Sequence, residues 1–288
     1  MPSSTVVSFA GGDVSGSSTV TRVEPTSAGA VVIVDATPFH PVDHTWPDQP
    51  GDSGEITLDG SAVRVTEAVM AALSDDGRFA VGSDIPVKRG AEGWTWLVGH
   101  PLERDAPSWL VEGARVELSV DSSRRAGLSR GHTACHLASL ALDLALADLW
   151  HKDPGEDALG APNFEGRANQ SSRIHADGAV DEYRLGKSLR RAGFDTETFA
   201  ATLADREASI NARLADWVDS DASSRVVTEG PTIVDRRSWQ CELPDGTAEI
   251  LCGGTHAASL DEFVSISVTL DLTDPQLLVM TTRAVPAA

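Results

Sequence analysis

The sequence predicts an α+β protein in two parts, an all-β domain over residues 1–120 followed by an α+β domain over residues 121–288. Three observations carry that expectation. In the first part the apolar runs are strand-length and are separated by Gly, Pro and Asp. From His132 to Trp150 strong helix formers follow one another, interrupted only by Ser139, Asp143 and Asp148. Beyond residue 225, strand-like runs return.

Along the chain, "AVVIVDATPF", "RVTEAVMAAL", "WTWLVG" and "RVELSV" are rich in β-branched or aromatic residues and read as strands. "PVDHTWPDQPGDSGE" and "VKRGAEG" between them carry turn chemistry. Many short strands so punctuated build a barrel or a sandwich. One stretch, "VTEAVMAALSDDG", fits a helix as well as a strand. After "VDSSRRAGLSRG" the grammar changes: "HTACHLASLALDLALADLW" is apolar nearly all round, as a buried helix is. "HKDPGEDALGAPNFEGRANQ" is polar and full of breakers and is expected to be a surface insertion. In "FDTETFAATLADREASINARLADW", Phe199, Leu203, Ile210, Leu214 and Trp217 share one helical face, and Asp195 stands where an N-cap belongs. "RVVTEG", "EFVSISVTLDL" and "LLVMTTRA" complete the second part as strands.

Composition narrows the class. Apolar residues make up 41% of the 288, enough for a real core. No apolar run reaches the length of about 18 residues that spans a membrane, so no membrane partner is expected. The opening "MPSSTVVSFAGGDVSGSSTV" lacks a basic stretch ahead of a long apolar one, so no secretory signal is expected. Three cysteines, Cys135, Cys241 and Cys252, form no disulfide framework, which suits a reducing cytoplasmic setting. Lys+Arg 23 against Asp+Glu 43 leaves a net charge of −20, a balance that repels polyanions and argues against a DNA partner.

Chemistry concentrates in two places. His132 and His136 stand at i and i+4 on the predicted helix, a spacing at which two imidazoles can reach one ion. No Glu follows His132, so the pair is not the H-E-x-x-H of a metalloprotease. Far downstream, "CGGTH" sets Cys252 and His256 around two glycines. A thiolate and neutral imidazoles are good zinc ligands, and the two pairs together have the count of a zinc site.

The two motifs together, "RGHTACHLASLAL" and "CGGTH", resemble the alanyl-tRNA editing family, the editing domain of alanyl-tRNA and threonyl-tRNA synthetases and the freestanding AlaX-type proteins. "VVIVDATPFHP" with "QPGDSGE" is similar to the family's barrel signature, Asp-x-Thr-x-Phe and later Gln-x-x-Asp-x-Gly. "VELSVDSSRRAGLSRGHTACH" and "REASINARL" extend the resemblance over roughly residues 20–285. It implies an N-terminal β-barrel followed by an α+β metal-binding editing domain. It implies Zn²⁺ held by His132, His136, Cys252 and His256, with His132, His136 and Thr133 at the catalytic centre. The implied activity is hydrolysis of the ester of a mischarged tRNA, in trans, with the tRNA acceptor end as partner. Arg124, Arg125 and Arg130, and a second group of Arg184, Lys187, Arg190 and Arg191, are the candidates for meeting that acceptor end. Asn169, Gln170, Ser171 and Ser172 lie where the family contacts the aminoacyl group.

One stretch departs from the family. Its Gly-rich segment between Phe and Gln is replaced by Phe39 to Gln49 without a glycine, and His44 and Trp46 are new there, so both are candidate substrate contacts. The default substrate is serine or glycine on an alanine tRNA. A reshaped loop points to a threonine-like or nonproteinogenic residue, such as a fluorinated or otherwise halogenated threonine, on a threonine tRNA. Two rivals have other natures: a zinc-stabilised tRNA-binding module without turnover, and a hydrolase of a small ester or amide, which suits the acidic surface better.

Overall fold

A computed structural model describes residues 3–288. The chain divides into two compact units. The first runs to Arg125 and includes Val226–Arg237 and Gly253–Thr255; the second comprises Ala126–Arg225, Ser238–Cys252 and His256–Ala288.

The first unit is built from β1 (Val6–Val7), β2 (Ser15–Thr26), β3 (Gly29–Val34), β4 (Ala36–Thr37), β5 (Gly54–Leu58), β6 (Ser61–Val65), β7 (Val69–Ser74), β8 (Phe79–Val81), β9 (Trp94–Leu102) and β10 (Arg115–Val120). Six of these close a barrel in the order β3-β2-β10-β5-β6-β9, with β9 pairing back to β3. The choice between sandwich and barrel is thus resolved as a barrel, which leaves no free edge among its six strands. Val32, Val34, Ile56, Val98, Val116 and Leu118 fill its interior. The stretch that also fitted a helix is β7, paired with β9 from Val69↔Gly99 to Ser74↔Trp94. Its residues are buried on both faces, Ala72 in the main core and Ala71 in a second cluster with Val31, Ile33 and Leu97. A strand buried on both sides loses its alternation, which is why period alone did not separate strand from helix.

"QPGDSGE" earns its residues from close packing. A Cβ on Gly54 would lie 2.1 Å from the Ser119 carbonyl, and one on Gly51 would lie 1.9 Å from that of Ala68. Asp52 between them is fully buried and faces Arg125, which is 5% exposed. Arg125 Nε donates to both Asp52 oxygens, at 2.9 and 3.1 Å, its Nη2 also reaches Asp52, and further donations go to the Pro38 and Asp13 carbonyls. The His40 N–H donates to the same carboxylate at 2.5 Å.

The remaining elements, most of them in the second unit, are α1 (Ser122–Ala145), α2 (Glu165–Ala168), β11 (Asn169–His175), β12 (Gly178–Arg184), α3 (Lys187–Ala192), α4 (Thr196–Ala201), α5 (Leu203–Val218), β13 (Ser224–Thr228), β14 (Arg237–Leu243), β15 (Gly246–Leu251), β16 (Phe263–Asp274) and β17 (Leu277–Pro286). The larger sheet among them has the order β11-β12-β17-β16, and β13-β14-β15 form a smaller one. Helix α1 begins well before His132, because the Asp121 carboxylate accepts the Arg124 N–H and starts it. Gly131 belongs inside it: a Cβ there would sit 2.2 Å from the His175 carbonyl, so the glycine lets the helix press on the β11–β12 turn.

The long amphipathic segment is two helices, broken at Thr202. Asp195 caps the first as expected, accepting from the N–H groups of Glu197 at 3.1 Å and Thr198 at 2.9 Å. Phe199, Ile210, Leu214 and Trp217 are fully buried. The polar side of α5 has its own task, since β16 ends its sheet. Asn211 accepts from the Val268 N–H and donates to the Val268 carbonyl, and Glu207 accepts from the Leu270 N–H. Side chains thereby take the place of a further strand. The breaker-rich stretch after α1 is less superficial than expected, because Phe164 and Ala168 enter the core.

Asp143 of α1 is 1% exposed and accepts the Glu165 N–H at 2.8 Å, holding the start of α2. Burial pushes its pKa up to about 8, against that N–H and with help from the Glu165 charge. A carboxyl raised on folding stabilises below its unfolded pKa and loses that contribution as pH climbs through the folded one. The buried His40 and His100, lowered to about 4, act in the opposite sense but only below about 6.5. The melting temperature is therefore expected to fall between pH 6.5 and 8.5. Asp143→Asn, which keeps the acceptor and removes the titration, is expected to flatten that slope in thermal melts.

Candidate metal centre

Within the second unit, His132 and His136 project from one face of α1, and Cys252 and His256 come from the turn after β15. Each offers one ligand atom, and all four atoms lie within 4.8 Å of one another. Cys252 Sγ is 3.4 Å from His132 Nε2 and 3.3 Å from His256 Nε2. Donors about 2.0–2.3 Å from one tetrahedral ion stand roughly 3.3–3.7 Å apart, so these spacings fit zinc. His136 gives a second sign of fit. Its Nε2 is buried with no hydrogen-bond partner, and burial lowers its pKa to about 4, leaving a neutral imidazole with a lone pair to give.

Neighbours hold the ligands in place. With Nε2 of His256 turned toward the cluster, its Nδ1 faces the Thr133 hydroxyl at 3.3 Å, and that same oxygen accepts the Ala257 N–H at 3.0 Å. Thr133, fully buried, thus holds the tilt of the His256 ring. Trp239 on β14 lies 5.2 Å from the His136 ring and 5.6 Å from that of His256, and is anchored by its indole N–H to Ser224 Oγ. It is a wall of the cluster that sequence reasoning missed, since a lone tryptophan in a strand-like run carries no sign of its distant neighbours. Cys135 turns toward Asp181, with Sγ 3.5 Å from Oδ1, and is outside the cluster. Thr133→Val keeps the shape and removes the hydroxyl. Metal affinity, measured by chelator competition, is expected to drop by about 10- to 100-fold.

Inside the first unit, the Gln49 carboxamide brackets Thr255, the residue before His256: Nε2 donates to its hydroxyl at 2.8 Å and Oε1 accepts its N–H at 3.0 Å. The glutamine of Gln-x-x-Asp-x-Gly therefore has a defined partner that only the fold reveals.

The other candidates are placed as follows. Asn169 and Ser171 on β11 face Tyr183 and Glu182 on β12 across a bulge that turns Gln170 outward. Asn169 donates to Ser172 Oγ, Ser171 to Glu182, and Gln170 to backbone carbonyls. In the first unit the side chain of His44 is 3% exposed, donates to the Val87 carbonyl and packs 5.5 Å from the Trp96 ring. Trp46 is 48% exposed. The Asp43 carboxylate ties their loop together, accepting from Thr45 twice and from Trp46 and pairing with Arg89. Of the basic groups, Arg125 is spent on Asp52, Arg130 on Asp177, and Arg124 on Glu67 and the Gly51 carbonyl. Arg184, Lys187, Arg190 and Arg191 are exposed. No helix among the described residues is long and apolar enough to cross a membrane.

Comparison with known proteins gives a consistent result. The chain is 26% identical over 251 residues to the alanine–tRNA ligase of Sorangium cellulosum, a match over 86% of this chain and 22% of that protein. The ligase of Bifidobacterium longum is 25% identical over 84% of the chain, and that of Frankia alni 28% identical over 79%. The chain spans about 22% of the length of the curated relatives it matches. No protein-family model matches. These relatives bear out the resemblance to the alanyl-tRNA editing family read from the motifs.

Proposed function

We propose that this relative of one segment of the alanine–tRNA ligases is an aminoacyl-tRNA deacylase, hydrolysing the ester that joins an amino acid to the end of a mischarged tRNA. The convergence of His132, His136, Cys252 and His256 carries the proposal. A translation-fidelity role follows from that chemistry. Zinc bound there supplies a Lewis acid that polarises an ester carbonyl, orients the substrate amino group or acidifies a water. The chain's own residues do the rest. The four ligands fix the ion, Thr133 keeps His256 oriented, and Trp239 excludes water from one side of the imidazoles. Asn169, Gln170 and Ser171 carry the hydrogen-bonding groups assigned to the aminoacyl moiety; Gln170, exposed at the bulge, is the freest to turn.

The default substrate is serine or glycine on an alanine tRNA. A specific observation favours a second reading. The segment from Phe39 to Gln49 has no glycine, and His44 is packed into the barrel against Trp96 while Trp46 stands exposed. A loop so filled suits a different side chain, and a hydroxyl read by buried polar groups allows strong selection. On this reading the substrate is a threonine-like residue, a halogenated threonine included, on a threonine tRNA. The test is release of amino acid from a panel of mischarged tRNAs. Preference for seryl-tRNA(Ala) removes the threonine reading, and inactivity on the whole panel removes deacylation.

A further inference from the structure

The chain carries a net charge of −20, yet residues 183–194 hold four bases and no acid, and no other window of that length gathers as many unopposed. The fold tightens this group. Lys187, Arg190 and Arg191 stand at i, i+3 and i+4 on α3 and share a face. The Arg184 side chain folds over the start of that helix, its Nε 3.3 Å from where a Cβ on Gly186 would be. Lys152 arrives from a distant loop. Its ammonium donates to the Arg191 carbonyl at 2.9 Å, and its backbone presses on Gly193, which has φ +106 and no room for a side chain. Four cations on one short segment of the second unit are thus joined by a fifth from a distant loop.

Eight of the other arginines are neutralised where they stand. Arg22, Arg89, Arg124, Arg125, Arg130, Arg206, Arg213 and Arg225 each pair with a carboxylate. Among the described residues none of the five around α3 has such a partner. The nearest acids in sequence accept elsewhere: Asp153 from the Gly155 N–H, Glu182 from the Ser171 hydroxyl, and Asp195 from the Thr198 N–H and hydroxyl and the Glu197 N–H. Like charges at these helical spacings repel. The carbonyl end of a helix this short relieves only part of that, through Arg190 and Arg191 in its last turn. The repulsion is left for an external anion to relieve.

We propose that Arg184, Lys187, Arg190, Arg191 and Lys152 form the surface on which the phosphate backbone of an RNA docks. The choice of RNA rests on the deacylase reading; the surface itself rests on the charges. Local positive charge explains how a strongly acidic protein engages a polyanion, because screening confines exposed contacts to about a Debye length, roughly 8–10 Å, where a cluster of bases outweighs the distant net charge. It also divides the two arginine groups near the metal helix and α3, since Arg124, Arg125 and Arg130 are already occupied.

The test is binding of deacylated tRNA, followed by fluorescence anisotropy over a series of salt concentrations, to the full chain and to Lys187→Ala/Arg190→Ala/Arg191→Ala. The variant is expected to bind about 10- to 100-fold more weakly near 100 mM salt, with the slope of log K against log salt reduced by about 2–3. A matched Arg213→Ala/Arg225→Ala variant, which removes cations already paired, is expected to bind as the native chain does. Melting temperature and metal content report whether the triple variant is folded; a misfolded one is replaced by Lys187→Gln/Arg191→Gln, with a slope change of about 1.5–2 expected. Equal affinity and slope in native and folded variant overturn the surface while leaving deacylation untouched, because that is read from amino-acid release. Native protein that binds no tRNA at low salt, or is displaced from it more readily by polyaspartate than by an unrelated RNA of equal charge, overturns RNA as the occupant.

Discussion

His136→Ala is expected to lower bound zinc from about one equivalent per chain to a small fraction of that, and to cut amino-acid release from the preferred mischarged tRNA by at least roughly 100-fold. The reason is geometric. His136 donates from a buried nitrogen with no other partner, so its loss removes a ligand that no nearby side chain replaces. Partners one step removed from a metal already change affinity by about 10- to 100-fold, and a ligand itself must matter more. Metal analysis alongside single-turnover hydrolysis checks both parts. A metal-free preparation with full activity would remove the cluster from the chemistry and leave it a structural role.

Arg125→Met is expected to destabilise the first unit by about 3–5 kcal/mol, because it strands a carboxylate away from water. Asp52 is fully buried, and among the described residues Arg125 is the cation that pairs with it, along with ties to Pro38 and Asp13. The further change Asp52→Ala should recover part of the loss, since the penalty belongs to the unpaired charge more than to the missing attraction. Recovery stays incomplete because the His40 N–H then loses its acceptor. Denaturant titrations of the single and double variants measure both effects. A cost under about 1 kcal/mol for Arg125→Met would mean that water or another group reaches Asp52.

Much of the site was legible because its residue types have few other uses in such spacing. His132 and His136 at i and i+4, with Cys252 and His256 around a glycine pair, have the ligand types and spacing for one ion, and the fold brings their ligand atoms within 4.8 Å of one another. Asp195 was legible as a cap because capping is local. What escaped involves partners distant in sequence. Trp239 lies far from both histidines it flanks, and Gln49 meets Thr255 only after the chain folds. Arg124, Arg125 and Arg190 look alike in sequence, and only burial distinguishes an arginine locked on Asp52 from one presented to solvent.

The sequence by itself determined the α+β class, the element types wherever one face is polar, and the two His/Cys pairs that could share a metal, because periodicity and ligand chemistry are local properties. Tertiary structure decided the rest: that the strands close into a barrel, that β7 is a strand, and that α1 starts at Ser122 and runs through Gly131. It also decided which carboxylates and cations are free. Each of these depends on which groups are excluded from water together, and that is fixed only when segments remote in the chain are packed against one another.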